Sequence, residues 1–345
     1  MAEREGEKTV QGREALFKHY EKIIKDYLMS KDESALYQGQ QFSRELLEQQ
    51  ISPEDVLSLH IQAVRNIFRF LPEQLNDTFD FLMEVMVAYG LAYREHQSLR
   101  NKQRQLDTDI EVAASMQQTF LRGELPQSEV LDIGALSQPA RKMSGDYYHF
   151  VQDDHDCISI AIADVIGKGI PAALSMSMIK YSMDSVPEQR MQPGAILENL
   201  NRVVEQNVRS DMFITMMYGI YDPRVHRFYY SGAGHEPGFF YSAKKDEFQE
   251  LAAKGLVLGA SNDTKYREFE KSVEVGDMIV LLSDGVTECR TEKGFIEREE
   301  IVDLIRQNFH LKAQKIVERV YAELERVQDF QLRDDFTLII LRRKV

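Results

Sequence analysis

The stretch "DMIVLLSDGVTE" (Asp277–Glu288) sets five consecutive apolar residues, Met278 to Leu282, directly before Ser283 and a carboxylate, Asp284, which Gly285 follows. Such a run, bounded by turn formers, reads as a strand buried on both faces. A carboxylate at the mouth of a buried strand is penalised by desolvation unless something compensates its charge.

The same placement recurs. "ISIAIAD" ends on Asp164, "SGDYYHFV" puts Asp146 after Gly145 at the start of a strand, and "RDDFTLIIL" puts Asp334 and Asp335 before the last strand. Aspartate is at home in turns, where its side chain bonds nearby backbone, so any one of these is ordinary. Four of them on very apolar strands are less so. If the strand ends converge, the carboxylates repel one another and raise each other's pKa unless a cation is present. Mg²⁺ and Mn²⁺ prefer such oxygen donors. Two ions ~3.5–4 Å apart can acidify a shared water and clamp a phosphoryl oxygen, a route to one of the slowest uncatalysed hydrolyses.

Around these strands, from Leu131 onward, β-branched and aromatic runs alternate with helical segments near 171–186, 193–208, 298–309 and 313–324. A direct strand-to-strand turn at Tyr221–Arg224 makes the sheet at least partly antiparallel, in an α/β or α+β domain. Before residue 121 the chain reads as helical. Ser52-Pro53-Glu54-Asp55 supplies an N-cap serine, proline at the first helical position and an acid three residues after the cap. Amphipathic helices are expected over 16–29 and 36–50 as well. Val85, Tyr89, Ala92, His96, Leu99, Gln103, Leu106, Ile110 and Ala113 then alternate steps of four and three, the seam of a coiled coil interrupted by two polar residues. The expected organisation is a helical domain over 1–84, a helical coiled-coil linker over 85–120 and a catalytic domain over 121–345.

Composition narrows the function. The 345 residues carry a net charge of −14, which argues against a nucleic-acid surface and against a metal-dependent nuclease. The two cysteines, Cys157 and Cys289, form neither a disulfide framework nor a zinc motif, so a reducing, cytoplasmic setting is expected. No apolar run is long enough for a membrane span, and no signal-peptide core precedes the helices. "IGKG" (166–169) is not a Walker loop, "GAGHEPG" (232–238) lacks the third glycine of a dinucleotide fingerprint, and no GxSxG elbow occurs. His235, in that second motif, is expected to order a loop, with general-acid service as the alternative.

"SGDYYHF" (144–150), "ADVIGKGIPAAL" (163–174), "GAGHEP" (232–237), "SDGVTE" (283–288) and "DDFTLIILR" (334–342) resemble the metal-dependent serine/threonine phosphatases of the PPM type, in the bacterial branch that includes the sporulation phosphatase SpoIIE. The segments "SALYQGQQFSRELLEQQISPEDVLSLH" and "FDFLMEVMVAYGLAYREHQSLR" are similar to the regulatory domain of general-stress phosphatases of that branch. The resemblance implies an αββα β-sandwich after the helical part. It implies two Mn²⁺ or Mg²⁺ ions bridged by Asp164, with Asp146, Asp284, Asp334 and the Val165 carbonyl completing the set, Asp284 and Asp334 on one ion. Asp146 and Asp164 are then the catalytic carboxylates. Asp335 is expected to cap the strand edge rather than to ligate.

Two positions depart from the family pattern. Val165 stands where glycine is common, and Gly145 where many eukaryotic members have glutamate, so loose metal binding is expected. Arg141, five residues before Asp146, falls where eukaryotic relatives hold a phosphate-binding arginine. The implied substrate is a phosphorylated anti-sigma-factor antagonist. The implied activator is a kinase-like switch protein on a dimerising N-terminal domain, and the outcome is release of a stress sigma factor. Ordering of the linker by the activator would act on the catalytic entry near 116–125. The alternative is a pseudophosphatase binding module that sequesters a partner without turnover.

Overall fold

The computed structural model describes the chain apart from residues 1, 50, 122–123, 166–168, 185–191, 209–211, 292–293 and 329–331, and apart from the side chains of 2–13, 120–121 and 290–291. Lys168, in the "IGKG" segment, lies outside the described residues. The chain divides into two compact units, Met1–Asp107 and Thr108–Val345.

The first unit is helical: α1 (Ala2–Ser30), α2 (Glu33–Glu48), α3 (Pro53–Ile67) and the beginning of α4 (Glu73–Leu121). The Ser52 hydroxyl accepts from the Asp55 amide at 3.3 Å, the cap expected from the sequence, in a position that contributes about 1 kcal/mol. Asp32 caps α2 in the same way, accepting from Ala35 N at 3.0 Å. Ile23, Phe42 and Leu46 form a small core with Leu16, Tyr20, Ile51 and Val56 packed on it. Helix α4 runs 49 residues without a break, starting before the expected linker and crossing from one unit into the next.

The second unit is a four-layer sandwich, as the resemblance implied. One sheet, here sheet I, orders β2 (Asp146–Gln152), β3 (Ile158–Val165), β4 (Ile214–Asp222), β5 (Arg227–Ala233) and β8 (Phe269–Ser272). Sheet II orders β1 (Leu131–Gln138), β12 (Phe336–Arg343), β9 (Met278–Leu282), β6 (Gly238–Ser242) and β7 (Glu247–Leu251). Every pairing within both sheets is antiparallel. Helices α5 (Ile170–Asp184) and α6 (Pro193–Asn207) cover sheet I, and α8 (Arg298–Gln307) and α9 (Ala313–Val327) cover sheet II.

Strands enclosed this way are apolar on both faces. In β9, Ile279 and Leu281 enter the core between the sheets, while Met278, Val280 and Leu282 face α8 and α9. All five are buried, and each contributes about 1.5–3 kcal/mol by leaving water. In β3 the larger Ile158, Ile160 and Ile162 point between the sheets. Ala161, Ala163 and Val165 face the helices. The β6–β7 hairpin and β8 were not expected from the sequence.

Candidate active site

Period-two alternation determines where the acids go. In β3, Ile158, Ile160 and Ile162 lie on the inter-sheet face, and Asp164 continues that row. In β2 the same row, shared with Tyr148 and Phe150, begins at Asp146, whose register partner is Asp164. Thr215, opposite Asp164 on β4, shares the face of Met217 and Tyr221. Across the gap, sheet II carries Ser137, Ser283 and Thr337 in line with Ala135, Leu281 and Ile339. At one end of the sandwich the inter-sheet layer therefore changes from hydrocarbon to carboxylates and hydroxyls.

Asp146 is the most enclosed of these acids, 2% exposed. The Ser283 and Thr337 hydroxyls face its carboxylate, and Oδ2 is without a hydrogen-bond partner. Burial above all, with the nearby charges of Asp164 and Asp335, pushes its carboxyl well above the ordinary range. The nearby hydroxyls oppose that rise but do not cancel it. The hydroxyls themselves are held in place: Thr337 Oγ1 donates to Ser137 Oγ at 2.9 Å, and the Thr337 amide donates to Ser283 Oγ at 3.0 Å.

Asp284 starts the one-turn helix α7 (Asp284–Thr287), where the chain leaves β9. It is half-buried. Burial first, then Asp334, Glu288 and Glu236, raise its carboxyl, and the Gly285 amide works the other way. A Cβ at position 285 would run into the Asp335 carbonyl, so only glycine lets this turn pack against the segment that carries Asp334. Asp334 accepts from the Asp335 amide at 3.0 Å.

Asp335 departs from the expected edge cap. Its carboxylate reaches across to accept from Ala140 N at 2.7 Å and from Gly145 N. The cause is register: β1 pairs with β12, Gln138 opposite Phe336, so the loop after β1 lies beside the residues before β12. Asp335 therefore ties down the loop that leads into Asp146. Gly145 lies where a Cβ would sit 3.1 Å from Asp164 Oδ1, 3.3 Å from the Val165 carbonyl and 3.4 Å from Asp335 Oδ2. Its amide and carbonyl are both engaged, the carbonyl accepting from Val165 N at 3.0 Å. A larger residue here would crowd three oxygens at once.

Residues with no local signal complete the arrangement. Gln117, at the end of α4 and 5% exposed, donates to the Ser144 carbonyl at 2.8 Å and accepts from the Ser144 amide at 3.2 Å. Its amide also reaches Met176 Sδ on α5 at 3.2 Å. Ala114 packs with Met143 and Ala173 one turn earlier. His235 is 7% exposed, with Nδ1 2.9 Å from Thr215 Oγ1 and Nε2 toward the Leu282 backbone without a close partner. Burial holds its imidazole down at about 4, a neutral ring linking the strand beside Asp164 to the strand before Asp284. Arg298 anchors the following turn through Glu236 and, at 2.6 Å, the Pro237 carbonyl. Arg141 is exposed at the rim.

The donor set is entirely oxygen, which suits a hard divalent cation, and the orphaned Asp146 Oδ2 and the cluster around Gly145 fit one. The acids converge as two sets, Asp146–Asp164–Asp335 and Asp284–Asp334. Among the described residues no three side chains close into a ready ion cage.

Residues 154–344 match the family model of stage II sporulation protein E (SpoIIE), and residues 18–92 match that of the N-terminal domain of phosphoserine phosphatase RsbU. The chain is 55% identical over 333 residues to phosphoserine phosphatase RsbU of Bacillus subtilis, covering 96% of this chain and 99% of that protein. It is 26% identical over 264 residues to protein IcfG of Synechocystis, covering 68% of this chain and 41% of that protein. Among solved structures, the PP2C domain of SiaA from Pseudomonas aeruginosa superposes with a TM-score of 0.60 at 21% identity, covering 70% of this chain and 98% of that one. The SpoIIE phosphatase domain of Bacillus subtilis, with a fragment of its regulatory domain, gives a TM-score of 0.54 at 20% identity over 63% of this chain and 64% of that one. The catalytic unit thus has the PP2C fold, and the chain belongs to the RsbU-type phosphoserine phosphatases.

Proposed function

We propose that the chain hydrolyses phosphoserine on an anti-sigma-factor antagonist, with two Mn²⁺ or Mg²⁺ ions held at the end of the sandwich. The carrying observation is that Asp146 and Asp164 of sheet I and Asp284 and Asp334 at the edge of sheet II lie at the same end of the sandwich. Asp164 and the Val165 carbonyl lie beside Gly145, with Asp146 the register partner of Asp164, which supports Asp164 and the Val165 carbonyl as candidate ligands. Asp284 and Asp334 form the second pair. When bound, the ions polarise the phosphoryl group and acidify the attacking water. Asp146 and Asp164 would hold a water behind phosphorus; its oxygen forms the new P–O bond as the bond to the serine oxygen breaks, and the proton the water gives up passes to the serine oxygen. Arg141 holds phosphate oxygens at the rim, and His235 keeps the two sheets in register and stays neutral.

Control is proposed to come through α4. The match of residues 18–92 to the RsbU N-terminal domain supports a regulatory role for the first unit, with a kinase-like switch protein as its activator and a stress sigma factor as the final beneficiary. Val85, Tyr89, Leu99 and Leu106 are 46%, 57%, 59% and 62% exposed along α4, in keeping with a homodimeric coiled coil. Near its end the same helix carries Gln117, which grips Ser144 two residues before Asp146, so a change in α4 is proposed to reach the site through that side chain together with Ala114 on Met143. The test is hydrolysis of a phosphoserine peptide by the full chain with millimolar Mn²⁺, with and without the activator. Turnover that EDTA and Asp164→Asn both abolish is expected. Turnover indifferent to either contradicts the proposal.

A further inference from the structure

Beside the acids is a groove of about 500 Å³. Ile110 from α4, Met143 from the loop after β1, and Ile170 with Pro171 at the start of α5 give it an apolar wall. Arg141 and Arg333 stand at its rim, and Gly145, Asp334 and Asp335 join it to the metal site. The wall comes from three separate segments, and Met143 is buried while Ile170 is 48% exposed. An apolar surface left open next to a reaction centre is a place for a side chain.

The two arginines point the same way. In a chain of net charge −14, Arg94, Arg224, Arg227, Arg298, Arg306, Arg326 and Arg342 are each paired with a carboxylate. Arg141 and Arg333 are exposed and make no ion pair among the described residues. Asp334 and Asp335, the acids next to Arg333, are turned to the metal set and to the loop amides. Two guanidinium groups without an ion pair among the described residues, beside an apolar wall, complement one ligand chemistry, a dianionic phosphoserine with an apolar neighbour.

We infer that this groove is a specificity subsite: it seats an apolar side chain next to the phosphoserine of the protein substrate, and Arg333 joins Arg141 in holding the phosphate. The inference rests on the phosphatase reading above, and it adds what that reading lacked, residues that read the substrate. It also places one wall of the subsite, Ile110, on the helix proposed to carry control.

The test uses the full chain with Mn²⁺ and three esters: a peptide with leucine on both sides of the phosphoserine, the same peptide with asparagine there, and p-nitrophenyl phosphate. Burying one or two leucines in the groove predicts a kcat/KM at least about tenfold higher for the leucine peptide. Ile170→Ser should shrink that ratio several-fold, and taking the ratio cancels any common loss of turnover. Arg333→Ala should raise KM for both peptides about tenfold, with Arg333→Lys recovering part of it. Equal kcat/KM for the two peptides, while p-nitrophenyl phosphate is turned over, overturns the subsite and leaves the phosphatase standing. A ratio that Ile170→Ser leaves intact assigns the preference elsewhere and overturns it too. No turnover of any ester overturns the phosphatase reading and the subsite together.

Discussion

Sheet I and sheet II bring carboxylates to the same end of the sandwich under different conditions. Sheet I presents Asp146 sealed between the layers, with hydroxyls from the opposite sheet facing it and Gly145 making room beside its register partner Asp164. Sheet II presents Asp284 half-buried, on a turn where the nearest charges are other acids. The first set is enclosed and held by bonds to backbone and neighbouring strands. The second is an open cluster of like charges, whose geometry a cation would complete. In the proposed two-ion site, the contrast assigns the looser ligation to the sheet II side.

That contrast can be broken by substitution. Asp164→Asn, on the enclosed side, should reduce turnover about 10³-fold or more, beyond the 10–100-fold typical of losing an outer-sphere partner, with no recovery at high Mn²⁺. Asp284→Asn, on the open side, should instead raise the Mn²⁺ concentration needed for half-maximal rate and regain much of its turnover when Mn²⁺ is increased. Equal behaviour of the two variants in a Mn²⁺ series would remove the distinction. Asp335→Ala frees the amides of Ala140 and Gly145 and should cost about 10–100-fold in activity, as an outer-sphere residue does. It should leave the melting temperature within a few degrees.

Much of this could be seen in the residues. The buried strand 278–282, the alternating rows of β3 and β12, and the acids at their ends follow from local pattern, because enclosure on both faces leaves an unbroken apolar signal. Thr337 and Ser283 had a signal that went unused. Each is a lone hydroxyl in a row whose other members are Ile339 and Leu341, or Ile279 and Leu281. Asp335 and Gln117 had none. Their partners lie 190 and 27 residues away, and the pairing exists only once β1 has met β12 and α4 has met the loop. The β6–β7 hairpin was missed because the apolar face of "GFFYSAKKDEFQEL" is interrupted by a charged turn, with Asp246 in the left-handed region at φ 52°.

Gln117 sharpens the comparison, because it acts on the enclosed set from outside both sheets. A chain starting at Thr108 keeps it, and one starting at Leu121 loses it. The shorter chain should fall about tenfold below the longer in phosphopeptide turnover, and Gln117→Ala in the longer should reproduce the fall. The smallest effect concerns pH. His235 is held neutral with its pKa near 4, against about 6.5 when unfolded. Below pH 6.5 the unfolded chain takes up this proton first, so stability from this group is present above that pH. It is lost as pH falls toward 4, by up to about 3 kcal/mol. The raised carboxyls of Asp146 and Asp284 act in the opposite sense, so the measurement is a difference. Chemical denaturation in EDTA across this window should show a shallower acid loss for His235→Gln than for the parent chain.

The central claim, two ions shared between two unlike carboxylate sets with Asp164 as the bridge, is tested most directly by counting Mn²⁺. Water-proton relaxation during a Mn²⁺ titration of the full chain should report two ions per chain, about one with Asp284→Asn and none at comparable concentration with Asp164→Asn. Undiminished binding by Asp164→Asn, or equal losses from both substitutions, would contradict the account.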